Sequence, residues 1–451
     1  MIKTLNREDF ANLLHANLSP TSPIQSQEHL FGRSKQLQLI EQALCAPGRS
    51  IFIYGDRGVG KTSLAQTVAY SHQGSLHAPV LLACTPQTTF AGLMASAIAA
   101  LDASKPKKSE TSYSAKVGFK GWGVELLRSR QEEATTEEQT GRDLNSIVAA
   151  LLMVAEERKN ESTVVVIDEF DRIASEEERG RFADFIKQVG DQRVSVRFVF
   201  CGVSESMQTL LGAHGSCYRY LDGIELNTLS WGARFEIIDA AAKALGVSVE
   251  SRPRLRIAAI SDGFPYYIHR MCEALFWQMF NDPVDRTTPT FDHYREAVTQ
   301  SVLGIEQHLK HTYDQAVQKD GPGYEDVLWA IADHADLIRN TENIHDSYVT
   351  LFGDSEEDRE AALDRATVVA RLNALKGPRC AQILASDRKG WYHFRENIMR
   401  GYVRLRAEEQ GYELALDYSA ASTSTSSLRW RQRGARRGRK GTRRRDWDEK
   451  G

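Results

Sequence analysis

Residues 53–65 read IYGDRGVGKTSLA, and the fold turns on how this stretch is read. Glycines at 55, 58 and 60 crowd a lysine and a threonine at 61 and 62. Glycine lets successive backbone N–H groups curl around an anion, and a helix starting just after the turn adds its partial positive charge. The preceding run SIFIY predicts a strand and the following run SLAQTVAY predicts a helix. The spacing G-x-x-x-x-G-K-[ST] is met by Gly55, Gly60, Lys61 and Thr62 in that strand–loop–helix context. A nucleotide phosphate is therefore expected in a cradle of Gly55, Asp56, Arg57, Gly58, Val59, Gly60, Lys61, Thr62 and Ser63. Lys61 is placed to reach the β and γ oxygens, and Thr62 to bind Mg2+.

A second stretch completes the chemistry. VVVIDEFD at 164–171 puts Asp168 and Glu169 at the end of a hydrophobic strand. Asp168 is expected in the Mg2+ shell, with Glu169 orienting and deprotonating the attacking water. Asp171 has no clear role from sequence. ATP and Mg2+ are the expected cofactors and ATP hydrolysis the expected reaction, since a small-molecule kinase would need an acceptor motif that is not evident.

Working outward, residues 31–229 alternate helical patterns with nearly continuous apolar runs: SIFIYG, APVLLAC, STVVVIDE and VRFVFCGV. Such runs fit strands buried on both faces of a parallel sheet flanked by helices. Residues 1–30 read as a lead-in, with LSPTSPIQSQ rich in Pro and Ser. Residues 104–142 interrupt the first domain, and SAKVGFKGWGVEL within them predicts two short strands around a Gly-rich turn. This insertion is either a plain surface hairpin or a contact hairpin presenting Lys116, Phe119, Lys120 and Trp122. Residues 230–307 turn helical, in WGARFEIIDAAAKAL, RPRLRIAAIS and YYIHRMCEALFWQMF. Residues 321–416 mix helices with one hairpin, and 417–451 form a linker and an arginine-rich tail.

Bulk properties exclude several classes. Apolar residues make up 41% and charged residues 26% of the 451, ordinary for a globular chain. No apolar run approaches the roughly 20 residues that span a bilayer, and MIKTLNREDF has no signal-like core. Six scattered cysteines argue against a zinc site or a disulfide framework and fit a reducing cytoplasm. The net charge of −3 hides a tail from Arg429 to Gly451 with eleven Lys/Arg against three Asp/Glu. A basic tail thus follows an acidic body.

The order of EHLFGRSKQLQLIEQAL, GDRGVGKTSLA, VVVIDEFD, FVFCGVSES and CYRYLDGIELNTLS resembles the AAA+ superfamily. It is most similar to the bacterial and archaeal branch related to origin-recognition-type initiators and to the signalling STAND ATPases. The resemblance covers residues 24–305 well and 321–416 loosely. It implies an α/β P-loop core with a helical lid and a winged-helix-like α+β domain; the basic tail after it has no apolar periodicity and is expected to be disordered. Phe31 and Arg33, with Ile24 beside them, are implied as the adenine-packing segment. Ser204 is implied as a polar sensor of the γ-phosphate, and Arg219 as an arginine finger reaching across a nucleotide-dependent homo-oligomer. The lid departs from the initiator pattern: SDGFPYYIHRM offers Tyr266 near the sensor position and Arg270 one turn later. Its Gly-x-Pro form looks more STAND-like.

In the carboxy-terminal part, YEDVLWAIA and DRATVVARLNALKG predict helices, the second ended by Gly377 as a C-cap. AQILASDRKGWYHF predicts strand–turn–strand with DRKG as the turn. The resemblance implies DNA contact through Arg365, Arg371, Lys376, Arg379, Arg388 and Lys389, or else a domain that packs internally or binds protein. The tail, with Trp430 among its arginines, suits DNA or another nucleic acid, or folds back onto the acidic body. Two functions follow: an ATPase coupling nucleotide state to assembly on nucleic acid, or a nucleotide-gated STAND-like switch controlling a protein partner.

Overall fold

The computed structural model describes residues 2–20, 22–74, 77–103, 144–158, 162–213, 217–318, 323–353 and 363–414. The expected insertion at 104–142 and the tail at 417–451 lie outside them. The chain divides into two compact units, residues 23–227 and residues 1–22 with 228–451.

The first unit is built on five strands: β1 Ser50–Tyr54, β2 Val80–Ala83, β3 Thr163–Asp168, β4 Val196–Gly202 and β5 Leu221–Glu225. All neighbours are parallel, in the order β2-β3-β4-β1-β5. The apolar runs make the central strands because both faces of each are covered: Ile51, Phe52 and Ile53 of β1 and Val164 to Ile167 of β3 are all buried. On one face an aromatic cluster fills the space under the helix Glu176–Asp191, with Phe52, Phe170, Phe182 and Phe200 meeting mostly edge to face at 5.1–6.2 Å. Parallel pairing places the carboxyl ends of all five strands on one rim. Gly55 follows β1 there, Asp168 ends β3, and Ser204 follows β4.

The second unit contains the helices Trp231–Ala244, Ser251–Ile260, Pro265–Asn281 and Phe291–Leu303 in the region expected to be helical. Residues 2–22 belong to this unit. Their helix Arg7–Asn17, capped by the Asn6 side chain on the Asp9 N–H, stacks Phe10 on Phe280 at 4.3 Å and against Trp277 at 4.8 Å.

Farther along come the helix Tyr324–Ala332, β6 Arg339–Asn340, the helices Thr341–Phe352 and Arg365–Leu375, and then β7 Leu384–Ala385 and β8 Trp391–Phe394. The hairpin has the expected turn: β7 and β8 are antiparallel, Leu384 facing Phe394, and Gly390 supplies a positive φ of 79°. β6 joins on the other side of β8, giving the order β6-β8-β7. Helix, strand, two helices and a two-stranded wing make this segment winged-helix-like. One detail differs from expectation. The helix Arg365–Leu375 is capped by Lys376, and Gly377 is extended (φ −81°, ψ 159°), so no left-handed glycine ends it. The final helix, Ile398–Glu409, is largely buried. Among the described residues no helix is long and apolar enough to cross a membrane.

Candidate functional site

The phosphate loop begins where β1 stops. Leu226 N–H donates to Tyr54 C=O at 2.7 Å, bringing the backbone after β5 against the first residue of the loop. A Cβ on Gly55, whose φ is 152°, would lie 2.2 Å from Leu226 O, so only glycine fits. At the other end Gly60 (φ 98°) starts the helix Lys61–His72, and no side chain caps its first N–H groups. Such groups are anion donors by default. Val59 is buried within the loop, and Asp56 and Arg57 are exposed.

Lys61 Nζ donates to Gly55 O at 2.9 Å and Asp56 O at 2.7 Å. Burial lowers its pKa, opposed by Asp171 and then by Cys201, Asp168 and Asp56. Thr62 Oγ1 donates to Asp168 Oδ2 at 2.6 Å although the two residues are 106 positions apart. The other oxygen, Asp168 Oδ1, accepts the Glu169 N–H at 2.8 Å. Glu169 is left-handed (φ 53°) and its Oε2 accepts from Arg172 Nη1 at 2.7 Å. Lys61, Thr62, Asp168 and Glu169, chosen from two separate motifs, therefore share one rim.

Three residues without a role from sequence also meet here. Asp171 Oδ1 lies 3.5 Å from where a Cβ on Gly202 would be, which places this carboxylate at the end of β4. Cys84, just past β2, donates its N–H to Asp168 O at 2.9 Å. Burial, helped by Asp168, Asp171 and Glu169, pushes its thiol up to about 12. Cys201 Sγ packs 3.9 Å from Lys61 O, and its thiol is raised well above the usual range, first by burial. Both sulfurs are protonated packing groups rather than nucleophiles. Cysteine arithmetic alone gives no hint of either position.

The segment expected to pack against adenine lies along the phosphate-loop helix. Ile24 N–H donates to Ser63 Oγ at 3.1 Å, Thr67 Oγ1 donates to Ile24 O at 3.0 Å, and Gln25 bonds Gln66 at 3.2 Å. Arg33, buried, donates to Val59 O at 2.9 Å, and burial brings its pKa down to about 10. Arg33 thus braces the loop itself. Phe31 is half-buried.

Ser204 is exposed at the start of the helix Ser204–Ala213, on the phosphate rim. Arg219 is elsewhere. It ends the short turn Cys217–Arg219 before β5, and Tyr220 O accepts the N–H of Ser50 at the amino end of β1. A five-residue strand is roughly 16 Å long, so Arg219 is exposed about that far from the loop of its own chain. Tyr266 and Arg270 belong to the second unit, where Arg270 pairs with Glu273 at 2.9 Å and packs against Gly304.

Of the cations expected on the winged-helix-like segment, Arg371 lies over the Tyr324 ring at 5.6 Å, Lys376 over Tyr392 at 5.3 Å and Arg388 over Trp391 at 5.4 Å. Arg365, Arg379 and Lys389 are exposed.

Comparison with curated proteins gave no match. Among solved structures, the chain is similar to the Walker-type ATPase PABY2304 of Pyrococcus abyssi (13% identity, TM-score 0.47, covering 85% of this chain and 99% of that one). It is also similar to Cdc6p of Pyrobaculum aerophilum (14%, 0.42, 88% and 98%). A third is the Aeropyrum pernix ORC1 protein in complex with DNA (14%, 0.39, 84% and 93%). Residues 29–199, which carry the phosphate loop and the acidic end of β3, match the family model described as the AAA ATPase domain.

Proposed function

We propose that this chain binds and hydrolyses ATP and couples its nucleotide state to assembly on nucleic acid. The observation that carries the ATPase part is the 2.6 Å pairing of Thr62 with Asp168 behind a glycine loop, with Glu169 next in the chain. A hydroxyl and a carboxylate oxygen held together are hard donors suited to Mg2+, which is commonly bound through one or two protein oxygens plus substrate phosphates. Among the described residues no cluster of three His, Cys, Asp or Glu could hold a metal by itself. When bound, Mg2+ would neutralise charge on the β and γ oxygens. The chain's own groups do the rest. The loop N–H groups and Lys61 hold and orient the phosphates. Glu169 takes the proton from the attacking water, and Ser204 stands at the same rim as a polar contact. Arg219 is exposed at the far rim, which supports a role toward a neighbouring copy, where a guanidinium would stabilise the transferring phosphoryl group. This supports a homo-oligomer as the working form.

The nucleic-acid part rests on the winged-helix-like segment and the composition of the basic tail. The test is the ATP-hydrolysis rate with and without duplex DNA, with Glu169→Gln as the blank. A several-fold rise with DNA and a silent variant are expected. A low rate indifferent to DNA would turn the reading to a nucleotide-gated switch with a protein partner. Deleting residues 419–451 is expected to weaken DNA binding and to make its logarithmic salt slope shallower by about 0.9 for each phosphate that the tail neutralises.

A further inference from the structure

The second unit joins two segments that read as separate in the sequence, the helical region at 230–307 and the winged-helix-like segment at 321–416. Both pack on the final helix, Ile398–Glu409. Ten of its twelve residues are buried, so it runs through the unit rather than over its surface. Toward the helical region, Glu408 accepts from Arg256 and Tyr294, and the Tyr267 hydroxyl donates to Ile398 O at 2.8 Å. Two buried arginines of this helix, 3% and 2% exposed, face both ways. Arg400 donates to both Asp262 oxygens on one side and to the carbonyls of His334, Ala335 and Asp336 on the other. Arg404 donates to Asp262 Oδ1 and Ala259 O on one side, and to Ala332 O and His334 O on the other. The turn that carries Asp262 is fixed in its own right. Asp262 has a left-handed φ of 52°, which a non-glycine residue holds only when its surroundings impose it. Gly263 O accepts the Leu229 N–H at 2.8 Å, and a Cβ on Gly263 would lie 2.7 Å from Leu229 O. Directly after this turn comes the helix Pro265–Asn281, with Tyr266 and Arg270 near its start.

We infer that the helical region and the winged-helix-like segment move as one rigid body, coupled by Arg400 and Arg404 through Asp262. To swing the winged-helix-like segment separately, both guanidiniums would have to give up either their carboxylate or their loop carbonyls. Either loss leaves charge or polar groups buried without partners, which is far costlier than parting an exposed pair. A ligand gripped by the winged-helix-like segment therefore displaces Tyr266 and Arg270 with it, and no hinge opens between the two segments. This goes beyond the proposed function and holds whether that ligand is nucleic acid or protein.

The test is a distance between two nitroxide labels on the full chain, measured by pulsed electron–electron double resonance. One label goes on Lys243→Cys in the helix Trp231–Ala244 and the other on Glu342→Cys in the helix Thr341–Phe352, both exposed positions. The background is Cys45→Ser, since Cys45 is exposed and the other five cysteines are buried. One narrow distance is expected, changing by less than about 2 Å, the scale of helix shifts within a packed interface, between the free protein, ADP, a non-hydrolysable ATP analogue and added duplex DNA. A larger change, or a second distance in any of these states, overturns the rigid body. Asp262→Asn is expected to broaden the distribution. So is the milder Arg400→Lys, which keeps the charge but loses the two-pronged contact. A distribution as narrow as the parent's in either folded variant overturns the assignment of the coupling to these arginines.

Discussion

The charged groups around the phosphate loop and those inside the second unit are held in different ways. Lys61, Thr62, Asp168 and Glu169 are half-buried or exposed, and their side chains make one or two bonds each, both of those from Lys61 going to loop carbonyls. In the second unit Asp262 is 6% exposed and accepts from Arg400 at 2.5 and 2.7 Å and from Arg404 at 2.9 Å. The arginines spend their other donors on the carbonyls of Ala259, Ala332, His334, Ala335 and Asp336. Nearby in the same unit Arg256 meets Glu408 at 2.5 Å, and Glu408 also accepts from Tyr294 at 2.7 Å. Charge with few partners can be exchanged for a ligand. Charge that is buried and satisfied on every side fixes the helices that carry it.

That contrast can be tested from its strongest consequence downward. Lys61→Ala is expected to abolish nucleotide binding in a fluorescence titration while leaving thermal unfolding nearly unchanged; tight ATP retention would refute the site. Asp262→Asn is expected to cost about 3–5 kcal/mol in denaturant unfolding, because it leaves buried arginines without their anion. A cost no larger than that of a surface pair would break the comparison. A pH series sharpens it. Burial alone would raise the Asp262 pKa, but Arg404 and Arg400 outweigh burial and hold it below the ordinary value. The stabilisation is then complete above the unfolded carboxylate pKa of about 3.9 and is lost as pH falls through the folded value. Below about pH 4 the Tm of wild type should therefore fall more steeply than that of Asp262→Asn. Gly401→Ala puts a Cβ 2.4 Å from the Tyr267 ring, whose hydroxyl donates to Ile398 O at 2.8 Å. Such overpacking is expected to cost about 1–3 kcal/mol, read by the same unfolding assay. Least of all, breaking the exposed Arg49–Asp222 pair at 3.0 Å with Arg49→Ala should change stability by about 0–1 kcal/mol.

The phosphate loop and the acidic strand were legible because their chemistry is local: a few adjacent residues supply both backbone shape and functional groups. β1, β3 and β4 were legible because burial on both faces leaves unbroken apolar runs; β2 also reads as an apolar run, but it is an edge strand in which Val80 is buried and Leu81 exposed. β5 was not, since Asp222 and Gly223 interrupt LDGIE and an edge strand needs only alternate apolar positions. The clamp on Asp262 was hidden for another reason. Its arginines are 138 and 142 positions away, and inside a helix they read as ordinary polar-face residues. Ser63, read as a phosphate contact, has its hydroxyl on Ile24, because a short side chain on the first helical turn reaches whichever segment lies along that turn.

The docking of Phe10 on Phe280 also bears on how the protein is made. During synthesis the amino-terminal helix leaves the ribosome about 270 residues ahead of the helix it covers, a delay on the order of tens of seconds at bacterial elongation rates. Residues 23–227 can complete their sheet within that interval, since every strand of it has already emerged. Phe10 and Leu14, fully buried in the finished molecule, must meanwhile wait without their partner. Until the second unit forms, the apolar stripe of Phe10 and Leu14 on this otherwise polar helix has nothing to pack against.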